Sequence, residues 1–119
     1  MSTSEIATVL AWHDALADGD LDTLEKLSSD DIEVADASGA GQGHQALRRW
    51  ADSVEVKSTI GRMYVHGGIV VAELATAGAD TAHGVVFRVV HDRVTAVFRH
   101  DSLEAALAAT ELTEGDRVD

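Results

Sequence analysis

The feature that most restricts this chain is a change of hydrophobic period at Val54. Before it, apolar residues recur at helical spacing; after it, they alternate, in two segments that each fold back on a turn. Residues 5–17 carry Ile6, Val9, Leu10, His13 and Leu16, an i, i+3, i+4, i+7 stripe that predicts an amphipathic helix, with Trp12 beside it. Gly19 suits the left-handed position that ends such a helix. Asp20 can then cap a second helix over residues 21–27, marked by Leu21, Leu24 and Leu27. Ile32, Val34 and Asp36 share parity in a short strand. Gly39, Gly41 and Gly43 follow as a flexible loop, and residues 44–53 form a third helix with Leu47 and Trp50 on its buried side. The spaced glycines read as a plain turn rather than a phosphate cradle.

Two hairpins follow. Strands near residues 56–66 and 69–77 meet at Gly67-Gly68, a two-residue turn signal. That turn sets Met63 opposite Ala72 and Arg62 opposite Glu73, the charged pair on a solvated face. Met63, Val65, Val70, Ala72 and Leu74 then point inward. The second hairpin spans about residues 81–100 with its turn at His91-Asp92. Pairing counted from that turn opposes Val89 to Val94, Phe87 to Ala96, Val85 to Phe98 and His83 to His100. On this register the two histidines are cross-strand neighbours on the pocket face, and Arg99 and Asp101 face outward. Asp101-Ser102 can cap a last helical turn over residues 103–109, and the polar tail from Thr110 is expected to fray.

At 119 residues the chain is expected to form one domain, and a hydrophobic content of 45% suits a packed core. With 21 acidic against 9 basic residues and a formal net charge of −12, the chain would repel a phosphate backbone, and nucleic acid and anionic membrane are poor partners. No apolar run reaches the roughly 18 residues of a membrane span. The first residues lack the basic and apolar regions of a signal peptide, and cysteine is absent, so a cytoplasmic location is the expectation. No close-spaced ligand motif points to a metal, and no cofactor is expected.

Three helices followed by a curved antiparallel sheet form an α+β cone with one open mouth and an internal pocket. The chain resembles the NTF2-like superfamily, in the branch of SnoaL-like polyketide cyclases and ketosteroid isomerases. The resemblance is carried by residues 12–22 (WHDALADGDLD), 29–36 (SDDIEVAD), 43–50 (GHQALRRW) and 98–101 (FRHD). It implies a small apolar substrate and a general-base carboxylate at Asp36. In ketosteroid isomerases a tyrosine and a protonated aspartate stabilise the oxyanion, an arrangement that is a standard illustration of carboxyl tuning. Here the matching positions are Trp12, which donates one N–H, and about Val85, which donates none. The limonene-epoxide hydrolases of the superfamily use an Asp–Arg–Asp set around a water.

Two readings stand side by side for each candidate. Asp36 is a catalytic base or a loop-capping carboxylate. His83 and His100 are acid–base partners or edge residues bonded to backbone. Trp12, Trp50, Met63, Val85, Phe87 and Phe98 line a ligand pocket or simply fill the core. The function expected is proton transfer on an apolar molecule, of the isomerase, cyclase or dehydratase type; the alternative is a non-catalytic binding or dimerisation domain. Tyr64, Ile60, Val71, Val86 and Val97 would make the outer sheet face apolar, which predicts a homodimer through that face.

Overall fold

The computed structural model describes residues 2–36, 39–53, 58–76 and 83–118. Helix α1 (Ser2–Asp18) ends in a left-handed Gly19 at φ 72°. The Asp20 N–H returns to the Ala15 carbonyl at 2.9 Å and the Gly19 N–H to Leu16 at 3.2 Å, which satisfies carbonyls the helix end would otherwise orphan. Asp20 caps α2 (Leu21–Lys26): its carboxylate accepts from the Thr23 N–H at 3.2 Å and the Thr23 hydroxyl at 2.7 Å. Those bonds hold the Asp20 carboxyl below the usual range.

Strand β1 (Ser28–Asp36) starts four residues before the alternation becomes visible, and the glycine stretch after it is a strand, not a loop. β2 (Gly39–Gln42) pairs antiparallel with β1, setting Asp36 opposite Gly39 and Glu33 opposite Gln42. Glycine is needed at position 41 because a Cβ there would lie 2.8 Å from the Ala46 Cβ of α3 (His44–Ser53). The strands β3 (Ser58–His66), β4 (Ile69–Thr76), β5 (His83–Val90) and β6 (Arg93–His100) complete one sheet in the order β2-β1-β6-β5-β4-β3. The sheet is mixed rather than wholly antiparallel, because β1 runs parallel to β6. α1 to α3 cover its inner face, where Val9, Trp12, Leu24, Leu47, Val70 and Phe87 form the core.

Two bulges decide which side chains face that core. The first falls between Ile60 and Met63, so that Gly61 and Arg62 together face Glu73 and Ile60 turns inward with Leu74. Arg62 and Glu73 still pair, Nη2 to Oε2 at 3.3 Å, on the solvated side. The second separates Val89, opposite Val94, from Arg88, opposite Ala96; Thr95 is the extra residue, and its hydroxyl donates to the Arg88 carbonyl at 3.2 Å. The left-handed pair His91 and Asp92, φ 52° and 62°, makes the expected turn, but beyond Thr95 the register has moved by one. Val86 therefore opposes Phe98, Val85 opposes Arg99 and Gly84 opposes His100. The expected His83–His100 pair does not form, and Val97 joins the core.

The outer face also has its own cover. Helix α4 (Leu103–Thr110), capped by Ser102, lies over Tyr64, Val71 and Val86 with Ala106 and, beyond the helix, Leu112 buried against them. The tail does not fray: a 3-10 turn at Glu114–Asp116 follows, Arg117 bridges Tyr64, and the Val118 N–H bonds to the Met63 carbonyl at 3.0 Å. The Tyr64 hydroxyl donates to Glu114 at 3.1 Å, which ties the tail down by a polar contact that a charge count does not reveal. The apolar face assigned from the sequence to a second copy is thus largely closed by the chain itself. Gly84 sets how closely α4 sits, since a Cβ there would lie 2.5 Å from the Ser102 carbonyl and 2.7 Å from the Ala106 Cβ. Gly84→Val is expected to cost roughly 1–3 kcal/mol by overpacking, read as a lower urea midpoint. An unchanged midpoint would mean that α4 is not held against this strand.

Candidate functional site

The inner face has a closed floor. Trp12 and Phe87 are each 1% exposed and meet edge to face, ring centroids 5.5 Å apart. Trp12 also stands 5.9 Å from half-buried Trp50 of α3. The Trp12 Nε1–H donates to the Ser28 hydroxyl at 2.9 Å, and Ser28 donates onward to the Leu24 carbonyl at 2.7 Å. The indole N–H that could have served as an oxyanion donor is therefore committed to a buried structural bond. Met63 and Val85 are buried in the same core. Beside Trp12, burial pushes the His13 pKa down, against an opposing pull from Asp14.

Toward the open end of this face the side chains become polar. His83 opposes the core residue Leu74, which sets it on the inner face, half-buried. Arg99 opposes Val85 and is likewise inward and half-buried; among the described residues it has no hydrogen-bond or ion-pair partner. The parallel ladder pairs Val34 with Val97 and Ala35 with Phe98, so the next step along both strands brings the backbone of Asp36 to the level of Arg99. The Asp36 side chain lies outside the described residues. β3 and β5 lead at this end into residues 54–57 and 77–82, also outside them. The inner end of the sheet thus joins a guanidinium and an imidazole around the terminus of β1.

Two expected site residues fall elsewhere. Phe98 and His100 are on the outer face, because the Thr95 bulge shifts β6 by one residue and reverses its alternation. They border a groove of about 540 Å³ beside the last turn of α4, with Ile69, Val86 and Arg88. His83 and His100, on opposite sides of the sheet, cannot act on one substrate atom or one metal. Arg99 is what reading the sequence missed as an inner residue. Its only signal is Thr95, whose hydroxyl can satisfy a bulged strand. Asp101 is exposed beyond the strand end. A polar cleft of about 400 Å³ elsewhere is lined by Glu25, Asp30, His44 and Arg93 among others. Its Glu25 and Asp22 pair with Arg48, and His44 Nε2 lies 3.0 Å from the Ser29 carbonyl.

The comparisons agree with this architecture. An NTF2-like protein of unknown function from Cytophaga hutchinsonii superposes with a TM-score of 0.70 at 13% identity, over 87% of this chain and 94% of that one. An LEH-like epoxide hydrolase from M. tuberculosis gives 0.64 at 21% identity, over 92% and 93%. A protein with a ketosteroid isomerase-like fold from Catenulispora acidiphila, solved with trimethylamine, gives 0.64 at 23%, over 89% and 93%. Comparison with curated proteins finds no match. No helix among the described residues is long and apolar enough to cross a membrane. The model of the SnoaL-like domain matches residues 9–102, which takes in α1 from its second turn through the end of β6, and the chain therefore belongs to the SnoaL-like domain family and has the NTF2-like fold.

Proposed function

We propose that the inner mouth of the cone takes a small, largely apolar molecule and moves a proton on it, with Asp36 as general base and Arg99 holding the negative charge that develops. The observation that carries this reading is Arg99 itself. It is an inward, half-buried guanidinium with no partner among the described residues, one ladder step past the Ala35–Phe98 pair. A half-desolvated cation aimed at a substrate oxygen does the work of an oxyanion donor. The two positions that match the isomerase oxyanion donors do not fill that role, since Trp12 donates to Ser28 and Val85 donates nothing. His83, two residues along β5 on the same face, is close enough to orient or protonate a second atom of the substrate. Proton transfer of the isomerase, cyclase or dehydratase type fits these groups; opening of an epoxide by an activated water would use the same Asp–Arg pair.

The test is binding of 2-naphthol at neutral pH, followed by absorbance. A cationic oxyanion site binds the ionised probe, so naphtholate absorption is expected on mixing with the protein and is expected to vanish in Arg99→Met. Equal binding of the neutral form by both proteins would overturn the role of Arg99. That outcome would favour the second reading, a non-catalytic binder, for which the packed Trp12–Phe87 floor already speaks.

A further inference from the structure

We propose that the outer-face groove is a second binding site, for an amphipathic molecule with an apolar body and a single carboxylate, such as a medium-chain fatty acid. It is separate from the inner mouth and does not depend on the reading given for it. The groove measures about 540 Å³, within the range of small-molecule sites. Its walls are apolar: Ala35, Ile69, Val86 and Phe98 from the sheet and Ala109 from the end of α4. α4 ends at Thr110, which with Ala109 forms the helix side of this strip.

Charge selects the headgroup. The chain carries a net charge of −12, yet among the described residues those lining this groove include Arg88, Arg99 and His100 and no aspartate or glutamate. Arg99 turns its side chain to the inner face, so among the described lining residues the basic side chains outside are Arg88 and His100. Both stand on the outer face, at Arg88–Ala96 and Gly84–His100 of the same strand pair, with Phe98 between them. Among the described residues Arg88 makes one ion pair, a long one at 4.0 Å to Glu33 with both side chains about half exposed, and such a pair holds little. An apolar trough with basic groups along its edge, on an otherwise acidic protein, is complementary to an anion carrying a hydrocarbon tail. It repels a cationic amphiphile and offers an uncharged one only the tail contacts.

The experiment is an amide-shift titration of the full chain with decanoate below its micellar concentration, alongside decanol and decyltrimethylammonium. Saturable shifts are expected at Ile69, Val86, Phe98, His100 and Ala109, with decanoate binding tighter than decanol by about tenfold, the size of one charge-assisted contact. The double variant Arg88→Gln, His100→Gln should remove that preference and leave decanol binding unchanged. Ala109→Trp, which fills the groove from the helix side, should abolish both. Equal affinity for all three probes would overturn the proposal. So would shifts confined to inner residues such as Val85 and His83, which would leave the inner-mouth reading intact. So too would light scattering that shows a dimer whose dissociation alone exposes these amides, since the occupant would then be a second copy of the chain.

Discussion

If the proposed proton transfer is the protein's activity, Asp36→Asn is expected to lower turnover by roughly 10²- to 10⁴-fold with the fold unchanged, the usual contribution of a general base. Asn keeps the shape of the side chain and can still bond to the backbone at the end of β1, so it removes proton acceptance without removing a cap. The backbone bonds between Asp36 and Gly39 are made by main-chain atoms and survive the change. The readout is kcat at several pH values, with thermal unfolding as the control. On that reading the native protein shows an acidic limb in kcat, and the variant should lose it. Full activity in the variant would make Asp36 a structural residue, and His83 would be the next inner-face group to substitute.

Trp12→Ala is expected to destabilise the protein by roughly 3–5 kcal/mol, a large part of the total for a domain of this size. Three losses combine. The largest side chain of the core leaves a void against Phe87 and Trp50, the edge-to-face contact at 5.5 Å disappears, and buried Ser28 loses the donor that satisfied its hydroxyl oxygen. Trp12→Phe keeps most of the volume and should recover more than half of the loss. Guanidinium denaturation followed by circular dichroism measures both. A loss below about 1 kcal/mol in Trp12→Ala would mean that the floor of the cone is not packed and that Trp12 borders an open cavity.

Read alone, the sequence determined whatever depends on local chemistry. Gly19 ends α1 because only glycine enters the left-handed conformation without strain, and Asp20 caps α2 because its carboxylate reaches the Thr23 N–H. The bounds of α3 follow from Leu47 and Trp50 at helical spacing, and the two hairpin turns from Gly67-Gly68 and His91-Asp92. The family resemblance was legible too, in the helix–turn–helix–strand pattern of residues 12–36.

The remaining features were set by packing between segments, because each depends on partners distant in sequence. The glycine stretch became β2 once α3 packed so close that position 41 had no room for a Cβ. β1 lies parallel to β6, a pairing across more than fifty residues that no turn announces. The outer face was closed by α4 and a tail whose polar composition hides Leu112 and the Tyr64–Glu114 bond. Above all, the single extra residue at Thr95 exchanged the two faces of β6, sending Phe98 and His100 outward and Arg99 inward. Alternation has a period of two, so one bulge inverts every side chain beyond it. The energy that chooses the bulge is spread over Thr95, Arg88 and the core packing of Val94 and Val97, and none of that is local to the sequence at position 95.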